Sequence, residues 1–318
     1  MKLQRFNLKN QNEQKIVVIG GGTGLSVLLE GIKTVFDDIS AIVGVSDDGG
    51  SSGILRKEFG ILPPGDFRNC LLALSNTDRT TIDLLNYRFN SSSKLLQNHN
   101  LGNLILFALA TITKDFEESI NILGELLNIN GKISPSALSP IDLTAILQTG
   151  KKIEGESNIR IHGEAVKQVM ISPKNIQANP NAIRSLEEAD LILVGPGSLY
   201  SSIIPNLLID GIKNAITNSK AKKVLICNVA TENGETNNYN SSDHIDSIKM
   251  HIGKNIFDSV IINNNIEQFE SKNNVNPVIP QDQYKNIQII FGDIVDTKNR
   301  IRHDSKKLAD LISKSFKT

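Results

Sequence analysis

Short apolar, β-branched runs recur along this chain, each closed by glycine or by small polar residues. Ile16–Ile19, Ser40–Val45, Ala189–Val194, Lys223–Asn228, Asp258–Ile262 and Ile287–Phe291 are too short for helices and read as buried parallel strands. Between them lie stretches with helical spacing. Leu25, Leu28, Leu29 and Ile32 share one helical face. Leu104–Ile112, Asp115–Leu127, Pro180–Glu188 and about Ser305–Phe316 read as further helices. Strands alternating with helices predict an α/β chain with a doubly wound, Rossmann-like, mostly parallel sheet. Residues 132–178 break the rhythm. Leu143–Leu147 and Lys151–Glu156 flank Thr149-Gly150 as a β-hairpin, and Val166–Ile171 is a further strand closed by Ser172-Pro173. The expected organisation is a polar lead-in over 1–14 and one α/β domain over 15–318, with a small strand-rich insertion at 132–178.

The candidate chemistry sits at the carboxyl ends of these strands, where open α/β sheets bind ligands. Ile16–Ile19 runs into Gly20-Gly21-Gly22-Thr23-Gly24 at the start of a helix. Strand, glycine turn and helix start point backbone N–H groups and a positive helix end at a phosphate. The dinucleotide fingerprint requires glycine where Leu25 stands, and the P-loop's Gly-Lys-Ser/Thr is absent. The turn is therefore either an anion contact of another kind or a tight connection with no ligand, and consecutive glycines favour the first. Gly195-Pro196-Gly197-Ser198 is a second such unit, whose Ser198, Ser201 and Ser202 either cap a helix or contact an anion.

Asp47 and Asp48 close the second strand. Acids there read a ribose or sugar hydroxyl, hold Mg²⁺, or make an ordinary Asp-Gly-Gly turn. Asp66 follows Pro63-Pro64-Gly65 and suits an N-cap. Arg68 and Asn69 fall in the first helical turn, where a cation opposes the helix dipole, so an anionic partner is expected for Arg68. Arg88 reads as a surface salt-bridge residue. Asn103 either caps the next helix or faces the ligand. The five histidines are scattered, and none stands in a recognisable nucleophile–base pattern.

Composition narrows the function classes. The 318 residues carry 34 basic and 34 acidic side chains, so bulk charge does not recommend nucleic acid or an anionic membrane as partner. Two distant cysteines, Cys70 and Cys227, lack metal-type spacing and suit a reducing cytoplasm. Neither a signal peptide nor an apolar run of membrane-spanning length is expected. A two-fold homodimer is the commonest assembly for such a chain.

The segments GGGTGLSVLLEGIK, VSDDGGSSG, LPPGDFRNCLLALS, HNLGNL, GPGSLYSSIIPNLL, NGET and RHD occur in this order. Together they resemble the YvcK-like gluconeogenesis-factor family, a relative of the CofD 2-phospho-L-lactate transferases, over about residues 15–312. The resemblance implies a Rossmann-like core and a cytoplasmic, bacterial protein tied to cell shape and cell-wall metabolism on gluconeogenic carbon. It implies a nucleotide-sugar ligand, notably UDP-N-acetylglucosamine, with no reaction established and with a cell-wall regulatory protein as partner. Carried over, the ligand contacts would be Gly21, Gly22, Thr23, Asp47, Asp48, Asp66, Asn69, Asn103, Gly197, Ser198 and, from the RHD motif, Arg302. The alternative implied by the transferases is phospholactyl or phosphoenolpyruvyl transfer, with Mg²⁺ held near Asp47, Asp48 and Asp66. One departure stands out. Many members carry Met-Thr-Gln-Pro-Gly-Glu-Thr where this chain has Ala230-Thr231-Glu232-Asn233-Gly234-Glu235-Thr236, which changes that loop's charge and stiffness. Ser305, opening the last helix, is positioned to suit a phosphate at a helix N-terminus.

Overall fold

The computed structural model describes residues 14–89, 96–267, 269, 274–282, 284 and 286–317; the lead-in expected before residue 14 lies outside them. The amino-terminal part runs β1 (Lys15–Gly20), α1 (Gly22–Ile32), β2 (Asp38–Val43), α2 (Gly50–Phe59), α3 (Pro64–Leu74), α4 (Arg79–Asn86), α5 (Leu101–Thr113) and α6 (Phe116–Leu126). The middle holds β3 (Lys132–Pro135), β4 (Asp142–Leu147), β5 (Lys152–Glu154), α7 (Glu156–His162), β6 (Val166–Ser172) and α8 (Pro180–Glu187). Next come β7 (Leu191–Val194), a wide helical turn over Leu199–Ile203, α9 (Ile204–Leu207), α10 (Asp210–Asn218) and β8 (Lys222–Ile226). The chain closes with α11 (Ser241–Ile252), β9 (Ser259–Asn263), β10 (Gln288–Gly292) and α12 (Ser305–Phe316).

The large sheet has seven strands in the order β10-β9-β8-β7-β1-β2-β3, and every pairing in it is parallel. This is the expected α/β fold. Every residue of β7 and β9, and of β1 after Lys15, is buried, because helices cover both faces of a parallel sheet. The order reverses beside β1: the chain leaves toward β2 and β3 on one side and toward β7 to β10 on the other. Such a switch point opens a crevice at the strands' carboxyl ends.

The second sheet has three antiparallel strands, β5-β4-β6. It begins at Asp142. Lys132–Pro135, placed by sequence with the strand-rich segment, instead pairs with β2 as the edge of the large sheet. Gly50–Phe59 is helical although Gly49-Gly50-Ser51-Ser52-Gly53 has the composition of a turn. Cys70 and Cys227 are buried free thiols. Among the described residues, no helix is long and apolar enough to cross a membrane.

Candidate functional site

The crevice outside β1 and β7 holds a cavity of about 350 Å³. That lies within the ~300–1,000 Å³ range of small-molecule sites. Two glycine turns from adjacent strands face each other across it. On one side, Gly21, Gly22 and Thr23 lead into α1, whose N-cap Gly21 has no side chain to offer and whose Gly22 N–H is taken by Asp66. On the other, Gly197 and Ser198 lead into the wide turn, whose Tyr200 N–H is taken by Glu235. Gly22 has φ +64°, a conformation that glycine takes without strain. Gly24 packs flat on the facing loop, where a Cβ would come within 2.6 Å of the Pro196 carbonyl oxygen. Part of the glycine signature is therefore a requirement of packing between the two turns. Asn228 ties the second turn down, accepting from Gly197 N–H at 3.2 Å and donating to Gly197 C=O at 2.9 Å.

Arg302 and Arg160 add cationic heads to the cavity wall. Arg302 comes from the loop before α12, and its neighbour His303 is buried with Nε2 3.1 Å from the Cys227 carbonyl oxygen. Burial lowers the His303 pKa to about 4, so the ring is neutral and structural. Arg160 belongs to α7 and was not visible as a site residue in the sequence. Its Nη1 lies 3.3 Å from Glu156 Oε1.

The acids divide into three roles. Asp66 sits behind the glycine turn and accepts the Gly22 N–H at 2.6 Å. It does not cap its own helix, whose N-cap is Pro63. Burial, and then the neighbouring charge of Asp47, push the Asp66 pKa up to about 6. Asp47 accepts Gly49 N–H at 3.0 Å. Asp48 is committed elsewhere: Oδ1 accepts Ser157 N–H at 2.8 Å and Oδ2 accepts Glu156 N–H at 3.0 Å. Both oxygens thus cap α7, and Asp48 is not among the residues lining the cavity. Glu232 and Glu235, the third group, line the cavity from the loop after β8. Glu235 is fully enclosed and accepts from Tyr200 N–H at 2.9 Å and Ser201 Oγ at 2.7 Å. Burial raises its pKa, opposed by those two hydrogen bonds.

Asn69 and Asn103 lie away from the cavity. Asn103 is buried on α5 and accepts from Arg68 Nη1 at 2.9 Å, while Asn69 accepts from Arg68 Nη2 at 2.6 Å. The Arg68 guanidinium thus meets two amides where the sequence suggested an anion. Asn100, not Asn103, caps α5. Asn69 faces a separate groove formed with residues of α1 and α4. Arg88 donates to the Asn98 carbonyl at 2.7 Å. Among the described residues no group of three His, Cys, Asp or Glu is placed to hold a metal ion, and Asp47 and Asp66 stand as a pair of carboxyls beside the glycine turn.

Comparison with known proteins gives a consistent result. The family of 2-phospho-L-lactate transferase CofD matches residues 16–295. The gluconeogenesis factor of Bacillus subtilis is 43% identical over 307 residues, covering 94% of this chain and 96% of that protein. The gluconeogenesis factor of Listeria monocytogenes is 40% identical over 317 residues, covering 96% of both. Among solved structures, a Bacillus halodurans protein superposes with a TM-score of 0.89 at 40% identity, covering 95% of this chain and 99% of that one. A second crystal structure of the same protein describes it as a member of the UPF0052 family.

Proposed function

Because this chain belongs to the CofD family and, within it, to the gluconeogenesis factors, we propose that it is a nucleotide-sugar-binding regulatory protein with UDP-N-acetylglucosamine as its ligand. One observation supports this above the others. Two glycine turns and the Arg302 side chain converge on a single cavity at the sheet's switch point. Paired backbone N–H turns suit a diphosphate, and an arginine completes its charge recognition. The cavity wall offers carboxylates, amides and hydroxyls to the sugar and the base. His303, the histidine in the wall, is buried and neutral. Action in the cytoplasm, a role in cell shape and cell-wall metabolism on gluconeogenic carbon, a cell-wall regulatory protein as downstream partner and a homodimeric state complete the proposal; the family resemblance supports them, apart from the dimer, which follows the base rate for such chains.

Calorimetric titration with UDP-N-acetylglucosamine, with and without Mg²⁺, tests the reading when the recovered ligand is then analysed. Saturable binding with intact ligand is expected. Arg302→Ala should weaken it at least tenfold while leaving thermal unfolding unchanged. Binding indifferent to Arg302, or none at all, would defeat the proposal. A transferase reading has one observation in its favour, the Asp47–Asp66 pair beside the phosphate turn. It requires that the recovered ligand be altered.

A further inference from the structure

Each glycine turn already holds a carboxyl group of the protein's own. At the first turn, Asp66 Oδ2 accepts the Gly22 N–H at 2.6 Å and lies so close that a Cβ on Gly21 would come within 3.0 Å of it. At the second, the Glu235 carboxyl takes the Tyr200 N–H at 2.9 Å and the Ser201 hydroxyl at 2.7 Å. Asp66 comes from α3 and Glu235 from the loop after β8, so neither belongs to the turn it occupies. Backbone N–H groups in such turns are what a phosphate would otherwise take. Among the described residues the Thr23 and Ser198 N–H groups have no acceptor of this kind.

Asp66 has the larger electrostatic consequence, because no cation is committed to it. The two guanidiniums that attract it are engaged elsewhere: Arg68 donates to Asn103 and Asn69, and Arg160 is paired with Glu156 at 3.3 Å. A helix N-terminus carries roughly half a positive charge, so a carboxylate bonded to its first N–H more than cancels the field of α1. The turn can still donate hydrogen bonds, but it has no surplus charge with which to hold a doubly ionised phosphate. We propose that Asp66 is a charge filter, which lets the cavity take a diphosphate esterified at both ends and turns away one that ends in a free phosphate. The proposal rests on the nucleotide-sugar reading above and narrows it. In a nucleotide sugar each phosphorus carries one negative charge, whereas a terminal phosphate carries about −1.5 to −2 near pH 7. That extra charge would meet Asp66 behind the Gly22 turn, and like charges brought together are costly. Burial and the charge of Asp47 raise the Asp66 pKa only to about 6, so the group is ionised at pH 7.5.

The experiment compares UDP-N-acetylglucosamine, UDP and the β-methyl ester of UDP by calorimetry at pH 7.5. EDTA is present, so that no divalent cation bridges carboxylate and phosphate. The methyl ester lacks the sugar and also lacks the second terminal charge, which separates charge from sugar contacts. Wild-type protein should bind the ester about tenfold more tightly than UDP. Asp66→Asn still accepts the Gly22 N–H without the charge, and should bring ester and UDP to within about twofold of each other, mainly by tightening UDP. Wild-type protein that binds UDP as tightly as the ester overturns the proposal, and this comparison stands whether or not the variant folds. An Asp66→Asn variant that keeps the gap overturns it too. Asp48→Asn is the control for charge in general, since Asp48 caps α7 outside the cavity wall. Its gap should persist whatever happens to its overall affinity, and a gap that closed there as well would overturn a role specific to Asp66. If none of the three ligands binds, the nucleotide-sugar reading fails instead. Inorganic phosphate then becomes the probe, read from the Thr23 amide in ¹H–¹⁵N spectra. It should bind Asp66→Asn about tenfold more tightly than wild type, and equal binding by both would overturn the proposal.

Discussion

Gly22 and Gly24 stand two positions apart in one turn and are constrained for different reasons. Gly22 needs its positive φ, and Gly24 needs the absence of a Cβ against the Pro196 carbonyl. Gly24→Ala should therefore cost about 1–3 kcal/mol of stability through overpacking, read by urea unfolding. Gly22→Ala should cost about 1–2 kcal/mol through strain in the left-handed region. Asp66 makes a separate prediction at this scale. Its folded pKa of about 6 lies above the ordinary 3.8, so the native state binds more protons between these values. The stability it contributes is present below about pH 4 and is lost as pH rises through about 6. Asp66→Asn removes that loss while still accepting the Gly22 N–H. Relative to wild type, the variant should gain about 1–3 kcal/mol between pH 4 and pH 8 at 1.36 kcal/mol per unit. Unfolding free energies that run parallel across this range would refute the assignment.

Among the elements, α7 couples the small sheet to the site. Gly155 provides no side-chain cap, and the cap comes from Asp48, 109 residues upstream of Ser157 in the chain. Asp48→Ala should cost about 0.5–2 kcal/mol. It should also speed amide exchange in α7 and weaken ligand binding through Arg160, although Asp48 itself lies outside the cavity wall. Unchanged exchange in α7 would show that the cap is dispensable. The same element marks the limit of what sequence reveals. The strands of the large sheet were legible, because six apolar runs fall within a residue or two of their observed places and only Lys132–Pro135 was misassigned. Both glycine turns were legible for the same local reason. α2 was hidden because Gly49 to Gly53 has turn composition, and its helical state depends on contacts such as Ser52 Oγ to Gly65 N–H at 3.0 Å. Arg160 left no local signal, since a tertiary contact between the end of α7 and the loop after β8 brings it to the cavity, whereas Glu232 stood in the segment after β8 that the sequence already set apart. Asp48, Asn69 and Asn103 had the right chemistry but are engaged by the fold.

At the scale of the whole molecule, the site is a consequence of topology. A seven-stranded parallel sheet whose order reverses at β1 leaves a crevice there, and the turns after β1 and β7 are the two that border it. A ligand bound in that crevice joins the β2–β3 side to the β7–β10 side, so occupancy should stabilise the chain as one unit. At a ligand concentration one hundred times Kd the gain is about 2.7 kcal/mol, and thermal unfolding should shift upward by several degrees. The Arg302→Ala variant should lose most of that shift at the same concentration. The central claim is that the diphosphate of a nucleotide sugar lies between the two glycine turns, and a crystal structure of the complex with UDP-N-acetylglucosamine tests it directly. The expected map has the diphosphate within hydrogen-bond distance of the backbone N–H groups of Thr23 and Ser198, the Arg302 guanidinium on its far side and an unbroken bond to the sugar. Ligand seated in the groove beside Asn69, or at the opposite end of the sheet, would contradict it.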